Sequence, residues 1–357
     1  MHGNILNKLS PLREFLSILA CQKKKDRADA DYWNSHPVKV VILDSGVIAD
    51  TVCFPAITGA SFIEDLTEDS HWHTITNPHG TIMASLVRKI NPNCHIYAAR
   101  THHGPDMQGG DVNATINVSL NISGPDPSLT DFTSQALDWA MNQEADIICI
   151  SWTCAKDLDE DDYTNLENKI SDAGGKCLIF CATGDNGPSA EKSFPAAFPS
   201  PFSICSCSIT GIPSANAEIE NSEFFVPAEE LFVEIPQYLN QGRNDSANGS
   251  SAATAVAAGL AALILSLARF AFHNGQDTAQ GSGDDVPKPD DHDLEETVSR
   301  LKRRTMMERV FKYMCGGGSE KFVQPWNVFP AELKNERVDA NKQRIAEFIR
   351  AAKGAKL

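Results

Sequence analysis

The stretch Asn248-Gly249-Ser250-Ser251-Ala252-Ala253-Thr254 opens a long run of small apolar residues, and it decides the fold. It predicts a buried helix that begins beside Ser251, with the serine hydroxyl at the positive end of the helix dipole. A free backbone N–H beside that hydroxyl is what an acyl-transfer nucleophile needs for the developing oxyanion. A serine before an alanine-rich helix is more often only an N-cap, so the interpretation needs support from elsewhere in the chain.

A carboxylate follows an apolar run near the start of the chain. The run Val38-Lys39-Val40-Val41-Ile42-Leu43-Asp44-Ser45-Gly46 is typical of a strand that is buried on both faces of a parallel sheet. Folds of the α/β class place their functional groups at the carboxyl ends of such strands. Asp44 is therefore a candidate site residue, the alternative being an ordinary turn acid.

A histidine lies at the start of the next helical pattern. In Asn77-Pro78-His79-Gly80-Thr81, Asn77 is typical of an N-cap and Pro78 of a first helical residue, which places His79 in the first turn. Apolar residues at helical spacing then supply the buried face, namely Ile82, Leu86 and Ile90. Taken alone, His79 is more often a surface histidine.

Together, the acid, the histidine and the serine stand in the chain order and local settings of a catalytic triad. This pattern resembles the subtilisin-like serine peptidases (subtilases, peptidase S8), whose triad runs Asp, His, Ser. Asp44-Ser45-Gly46 is similar to the Asp motif of the family, and His79-Gly80-Thr81 to its His-Gly-Thr motif. Gly249-Ser250-Ser251-Ala252-Ala253 is similar to its Gly-Thr-Ser-x-Ala motif, with Ser250 in place of Thr. Gly259 matches a close-packing glycine in the family's helix.

Three further segments resemble subtilase elements between the histidine and the serine. Asp146–Trp152 resembles the strand that pairs with the substrate backbone. Cys177–Gly187 resembles the next strand with its oxyanion turn, and Phe194–Ser200 resembles the Pro-Ala segment that follows it. The resemblance covers residues 36–272, with family-like helices to about 317. It implies an α/β fold of three layers, α/β/α, around a mostly parallel central sheet.

The resemblance also implies an activity and its residues. The chain would be a serine endopeptidase in which Ser251 attacks the peptide, His79 transfers the proton and Asp44 orients the imidazole. The substrate-binding residues, with Ser193 near the base of the pocket for the P1 side chain, would be Ser151, Trp152, Thr153, Ala182, Thr183, Gly184 and Ser193. None of them is charged, which favours a medium apolar P1 side chain over Lys or Arg.

The oxyanion hole departs from the family pattern. The backbone N–H of Ser251 supplies one donor, but Asp185 stands where most subtilases have an Asn whose amide is the second. An ionised carboxylate cannot donate, and loss of one such donor costs about 10²–10³ in kcat. Protonation of Asp185 or an inward turn of Asn186 would restore a donor, and some active proprotein convertases resemble this chain in having Asp there.

Three classes of function remain open at this point. We expect a competent or slow endopeptidase, because the triad is complete. The alternative is a catalytically impaired subtilase fold that serves interaction or regulation, with Asp185 marking the decay. A general esterase or amidase with the same triad is the third class, but the expected substrate strand at Ile148–Ser151 favours peptides.

Composition bounds the partners. The chain has 357 residues, enough for one catalytic domain with appendages, and its net charge of −16 argues against nucleic-acid or anionic-membrane partners. The apolar stretch 252–268 is short for a membrane span, and a buried catalytic helix explains it. The expected partners are protein or peptide substrates, together with other domains to which the chain is fused or docked.

Targeting, redox and metal signals are weak. Residues 1–25 lack a long apolar core, and Lys23-Lys24-Lys25 follows the apolar part, so no secretory signal is indicated. We therefore expect an intracellular, cytoplasmic protein whose cysteines are reduced, with Cys149, Cys177, Cys181 and Cys205 buried in strands. No cofactor or metal site is predicted, since neither His71-Trp72-His73 nor His102-His103 has an evident partner set. Many subtilases bind calcium, but no acid-rich loop here matches such a site.

The chain divides into four predicted segments. They are an N-terminal extension with a short amphipathic helix (1–35), the peptidase domain (36–272), an acidic flexible loop (273–293) and C-terminal helices that pack on or extend from the domain (294–357). Surface helices are expected at Asp131–Glu144 and Tyr163–Ala173, one amphipathic helix at Leu294–Tyr313 and a peripheral helix within Pro330–Leu357. The extension is shorter than the propeptide of secreted subtilases, so either the chain folds without one or it belongs to a longer product.

Overall fold

A computed structural model describes most of the predicted peptidase domain and parts of both flanks. It covers residues 4–10, 36–49, 57–63, 71–75, 77–102, 116–117, 121–122, 127–154, 160–188, 191–233, 246–272, 291–316, 320–329 and 338–354. Most of the N-terminal extension and residues 273–290 of the predicted acidic loop lie outside the described residues, whereas 291–293, predicted as the end of that loop, are helical. Within the extension, the described helix is α1 (Ile5–Lys8), whose Ile5 and Leu6 are buried.

A parallel sheet forms the middle layer. Its seven strands are β1 (Lys39–Asp44), β2 (Ile57–Ser61), β3 (His95–Arg100), β6 (Ile147–Ile150), β8 (Leu178–Ala182), β9 (Phe202–Cys207) and β10 (Phe224–Pro227). They lie in the order β10-β9-β8-β6-β1-β3-β2, and each neighbouring pair is parallel. Two small sheets contain β4 (Ile116–Asn117), β5 (Asn121–Ile122), β7 (Thr153–Cys154), β11 (Leu231–Phe232) and β12 (Ser246–Asn248).

Helices cover both faces of the sheet. The remaining helices are α2 (His79–Ile90), α3 (Pro127–Asn142), α4 (Glu160–Gly174), α5 (Ser250–Phe272), α6 (Asp291–Leu301), α7 (Arg304–Met314) and α8 (Val338–Gly354). Alternate residues of β1 show the layering, because Val40 and Ile42 pack with α2, α5, α7 and α8, whereas Val41 and Leu43 pack with α3 and α4. The α/β/α architecture with a mostly parallel sheet is therefore confirmed.

The helix α5 is the centre of the larger core. Among the described residues, one stretch, Ser250–Ala271, is long and apolar enough to cross a membrane, and all of its most apolar window is buried inside the domain. A Cβ built on Gly259 would lie only 2.9 Å from Cβ of Ile90, so α2 and α5 approach closely at this glycine. This is the close packing that the family resemblance implied for Gly259.

The C-terminal region differs from its prediction in one respect. The single helix expected over Leu294–Tyr313 is two helices, α6 and α7, which are separated at Lys302 and Arg303. Long-range ion pairs fix this break: Lys302 pairs with Asp146, while Arg304 pairs with Glu223 at 2.7 Å. An unbroken helix would carry these cations away from their partners. The peripheral helix within 330–357 is α8.

The cysteines that the structure describes are free thiols, and most are buried. Cys149 lies in β6 and Cys181 in β8, while Cys177 immediately precedes β8. Burial raises the pKa of Cys149 to about 12, which disfavours its reactive thiolate form. These thiols act as small apolar side chains of the core, as the sequence predicted.

Candidate active site

A buried acid–histidine pair lies at the carboxyl edge of the sheet. Asp44 is the last residue of β1 and His79 the first residue of α2. Nδ1 of His79 is 2.7 Å from both carboxylate oxygens of Asp44, and neither residue is more than 2% exposed. The carboxylate thus fixes the orientation of the ring and favours the proton on Nδ1, which leaves Nε2 as the basic nitrogen.

The start of α2 brings His79 to this position. The helix begins at His79, one residue later than predicted, and the side chain of Asn77 still caps it by accepting the N–H of His79 at 2.8 Å. A Cβ at Gly80 would lie 2.3 Å from the carbonyl oxygen of Gly46 and 3.1 Å from Oδ1 of Asp44. Only glycine at position 80 therefore allows the first turn of α2 to reach the end of β1.

Several groups stabilise the ionised form of Asp44. Its Oδ1 accepts the backbone N–H of Ser45 at 2.7 Å and the hydroxyl of Ser45 at 3.2 Å. Burial alone would raise the pKa of this carboxyl, but the His79 ring and its hydrogen bond, with smaller contributions from His102 and the Ser45 N–H, hold the pKa below its ordinary value. Asp44 is a carboxylate at neutral pH.

The predicted nucleophile lies in the first turn of α5. Gly249, which precedes the helix, has a φ of 92°, a conformation that L side chains rarely adopt, and its carbonyl accepts the N–H of Ala253 at 3.0 Å. Ser250 and Ser251 are then the first two helical residues. The backbone N–H of Ser251 belongs to the turn that has no acceptors within the helix, so it is suited to receive an oxyanion.

The hydroxyl of Ser251 is hydrogen-bonded to the backbone and not to the histidine. Its Oγ donates to the carbonyl oxygen of Ser151, 2.5 Å away at the end of β6. Nε2 of His79 is buried and has no hydrogen-bond partner among the described residues. Asp44 and His79 are therefore hydrogen-bonded as the predicted triad requires, whereas Ser251 makes a different hydrogen bond.

The carboxylate of Asp185 is engaged by the residue before the nucleophile. Oδ1 accepts the hydroxyl of Ser250 at 2.6 Å, and Oδ2 accepts the backbone N–H of Ser250 at 3.0 Å. Asp185 is thus an N-terminal cap of α5, favoured by the helix dipole. Both contacts use carboxylate oxygens as acceptors, the role of an ionised acid. The side-chain amide nitrogen of the exposed Asn186 lies beside Gly184, 3.0 Å from a Cβ built there.

The residues predicted to bind substrate surround the end of β6 and β8. Trp152 is 1% exposed, and its Nε1 donates to the carbonyl of Leu43 at 3.1 Å, so its indole supports the strand that carries Asp44. Thr153 lies in β7, while Ala182 is the last residue of β8. The hydroxyl of Thr183 donates to the carbonyl of Ile204 at 3.1 Å. All seven residues stay predictions as substrate contacts.

Comparison with known proteins decides the family. The model of the subtilase family, peptidase S8, matches residues 35–278, well over half of the chain. The chain belongs to the subtilases. An intracellular serine protease of Paenibacillus polymyxa is 26% identical to this subtilase over 251 residues, which are 67% of this chain and 71% of that protein. The subtilisin-like protease het-Q2 of Podospora anserina is 26% identical over 192 residues, 52% of this chain and 48% of that protein.

Solved structures agree on the fold of this subtilase. The protease domain of PatA superposes with a TM-score of 0.54 at 20% identity, covering 84% of this chain and 96% of that chain. A lanthipeptide protease superposes with a TM-score of 0.53 at 19% identity, covering 94% of this chain and 99% of that chain. The chain shares the fold of these two proteases.

Sequence reasoning missed several residues that shape the site of this subtilase. The sequence indicates Asn77 only as a helix cap and Ser45 only as part of a motif. In the structure, Asn77 accepts a hydrogen bond from the N–H of His79, and the N–H of Ser45 donates one to Asp44. His102 is 9% exposed, lies edge-on to Trp152 and contributes to the charge balance of Asp44. Glu218, which is 0% exposed, binds the hydroxyl of Ser193. No local pattern marks the roles of His102 and Glu218, because their partners lie far along the chain, whereas Asn77 and Ser45 act on residues near them in the sequence.

Metal ligands do not cluster in the described part of the chain. There, no group of three or more His, Cys, Asp or Glu side chains is placed to hold an ion. The rings of His71 and His73 stack with centroids 5.4 Å apart. The absence of a metal and of a cofactor therefore stays a prediction. A calcium site of the kind that many subtilases have was not matched in the sequence.

Proposed function

We propose that this subtilase is a serine endopeptidase that hydrolyses peptide bonds through an acyl-enzyme on Ser251. The observation that carries the proposal is the buried contact of Nδ1 of His79 with both oxygens of Asp44 at 2.7 Å. This contact leaves Nε2 of His79 as the base for a serine hydroxyl, and Nε2 has no hydrogen-bond partner among the described residues. Ser251, in the first turn of α5, is the candidate hydroxyl.

In the proposed reaction, the hydroxyl of Ser251 first leaves the carbonyl of Ser151 and turns toward His79. One hydrogen bond is exchanged for another, and each contributes only about 1 kcal/mol, so the rearrangement costs little. Ser251 then attacks the peptide carbonyl while Nε2 of His79 takes its proton. His79 returns that proton to the leaving amine, and water, activated by the same ring, hydrolyses the acyl-enzyme.

Oxyanion stabilisation limits the rate in this proposal. The N–H of Ser251 is one donor, but Asp185 accepts hydrogen bonds from Ser250 through both of its oxygens and, as a carboxylate, cannot be the second. We expect kcat to be lower by about 10²–10³ than with an amide at this position. Asn186 remains the candidate for a substitute donor if its side chain turns inward on substrate binding.

A catalytically impaired interaction or regulatory domain is the second candidate. Two contacts favour it: the hydroxyl of Ser251 is bound to Ser151 instead of His79, and the carboxylate of Asp185 stands at the oxyanion turn. In this alternative the fold would bind a peptide segment without cleaving it. The same substrate strand, at the end of β6, would form the contact.

Partners and location follow from the same proposal. We infer protein or peptide substrates, and other domains to which this chain is fused or docked. We also infer an intracellular, cytoplasmic location, supported by the similarity to an intracellular serine protease and by the free thiols of the described residues.

The test is labelling with a biotinylated fluorophosphonate, which reacts with activated serines. Wild-type protein should be labelled, Ser251→Ala should not, and peptide mapping should place the label on Ser251 and not on its neighbour Ser250. Cleavage of an unfolded protein such as casein should be lost in the same variant. If folded wild type is unlabelled but Asp185→Asn is labelled, the impaired alternative is correct. If neither is labelled, the endopeptidase proposal fails.

A further inference from the structure

A buried carboxylate lies beside the pocket expected to receive the P1 side chain. Glu218 follows β9 and is 0% exposed, and its Oε1 accepts the hydroxyl of Ser193 at 2.6 Å. Its other oxygen, Oε2, is buried and has no hydrogen-bond partner among the described residues. A buried acid with an unpaired oxygen is costly unless a cation or a donor completes it.

The backbone holds this carboxylate against the oxyanion turn. The N–H of Glu218 donates to the carbonyl of Gly184 at 3.3 Å, and the hydroxyl of Ser222 donates to the carbonyl of Glu218. A Cβ at Gly184 would lie only 2.1 Å from Oε1 of Glu218 and 2.6 Å from Oγ of Ser193. The absence of a side chain at 184 therefore leaves room for the carboxylate beside Ser193.

Charges of both signs line the space next to Ser193, because Glu220 and Glu223 border it together with Lys192 and Arg304. A cavity of about 280 Å³ is lined by Thr183 and by Ser193, the hydrogen-bond partner of Glu218, whereas Glu218 itself does not line it. Two cations also line it: Lys192 is exposed, and Arg304 is paired with Glu223 at 2.7 Å and Glu308 at 3.1 Å. Neither of them is bonded to Glu218, so neither supplies its missing partner.

We propose that Glu218 is a specificity-determining residue of this subtilase, and that its free oxygen binds the ammonium or guanidinium group of a P1 Lys or Arg. This replaces the expectation of a medium apolar P1 side chain, which rested on lining residues that did not include Glu218. The inference rests on the proposed function for the identity of the pocket. It does not require that Ser251 be reactive.

The first experiment measures binding without catalysis. p-Aminobenzamidine, a fluorescent probe whose planar amidinium cation resembles the guanidinium of arginine, is titrated into wild type and into Ser251→Ala, and both should bind it. Glu218→Gln keeps the size of the side chain and removes its charge, and it should weaken binding about tenfold or more, since a hydrogen bond to a charged group is involved. Glu191→Gln removes the charge of an exposed acid near Ser193 and should leave the affinity unchanged.

A comparison on wild type alone guards against a variant that does not fold. The neutral isostere p-aminobenzamide should bind at least about tenfold more weakly than p-aminobenzamidine, and peptides with P1 Arg or Lys should be cleaved faster than matched peptides with P1 Leu. Equal binding of the cation and its neutral isostere, or unchanged cation binding in a folded Glu218→Gln, overturns the inference.

The outcomes separate this inference from the proposed function. Labelling by fluorophosphonate with faster cleavage after Leu than after Arg would retain the endopeptidase and discard the role of Glu218. Charge-dependent binding of p-aminobenzamidine to a protein that no fluorophosphonate labels would retain the cationic pocket and discard the endopeptidase.

Discussion

Asp185 binds Ser250 through both of its carboxylate oxygens, at 2.6 Å to the hydroxyl and 3.0 Å to the backbone N–H. The residue at the oxyanion position thus stabilises the start of the helix that carries the nucleophile. Under the proposed function, the stability of α5 and the stabilisation of the transition state therefore both depend on this side chain.

Substitutions at Asp185 should therefore change stability and rate in different directions. Asp185→Asn keeps one acceptor for Ser250 and gains a donor, so we expect kcat to rise by about 10²-fold with a loss of at most about 1 kcal/mol in the free energy of unfolding. Asp185→Ala leaves both groups of Ser250 without this partner and should cost about 1–3 kcal/mol without any gain in rate. Urea unfolding and steady-state kinetics on both variants test this, and a faster Asp185→Ala would contradict it.

The contact between Asp44 and His79 should be essential for turnover and dispensable for folding. Asp44→Asn keeps the shape of the side chain but favours the wrong tautomer of the imidazole, so kcat should fall about 10⁴-fold. KM should change little, because Asp44 is buried away from the substrate. Asp172→Asn, at an exposed acid of α4, is the matched control and should keep full activity. A kcat for Asp44→Asn within tenfold of wild type would refute the assignment.

Gly80 should tolerate no side chain. In Gly80→Ala the new Cβ would meet the carbonyl of Gly46 and the side chain of Asp44, so α2 must move away from β1. We expect a loss of about 1–3 kcal/mol in stability together with loss of fluorophosphonate labelling. Gly175→Ala is the control, since nothing lies within 3.4 Å of its Cβ position, and it should be neutral or slightly stabilising. Equal melting temperatures for the two variants would show that the close approach at Gly80 is not as described.

Glu223 should make the domain less stable as pH rises. Burial raises its pKa from 4.5 to about 7, although the guanidinium of Arg304 favours the ionised form. Between those two values the folded state holds a proton that the unfolded state has lost, so stability decreases as pH rises through this window and is constant below and above it. The effect is on the order of 1–3 kcal/mol.

Glu223→Gln removes that titration and keeps an acceptor for Arg304. The variant should be more stable than wild type at pH 8, and the difference should vanish near pH 4.5. Urea unfolding at several pH values measures this difference in stability. Glu220→Gln, at an exposed acid, is the matched control. Parallel curves for Glu223→Gln and wild type would disprove the assignment.

The sequence was sufficient wherever a local pattern determines the outcome. Apolar strands that end in Asp44, a capped helix that starts near His79 and a small-residue helix behind Ser251 each follow from neighbouring residues. The features that the sequence did not predict depend on contacts between residues far apart in the chain. Lys302 and Arg304 divide one predicted helix because their partners lie in different parts of the domain. Glu218 stands among polar residues typical of a surface loop, and only Gly184 and Ser193, far along the chain, show that it is buried.

The arrangement of the parallel sheet has a consequence for synthesis of the protein. β1 is central, and its neighbours β3 and β6 follow it along the chain, so strand pairing on the ribosome can begin early. The candidate nucleophile follows all seven strands, because α5 comes after β10. A nascent chain therefore contains both Asp44 and His79 long before Ser251 leaves the ribosome. Under the proposed function, peptide-bond cleavage cannot begin until nearly the whole domain has been translated, which protects the growing polypeptide from its own chemistry.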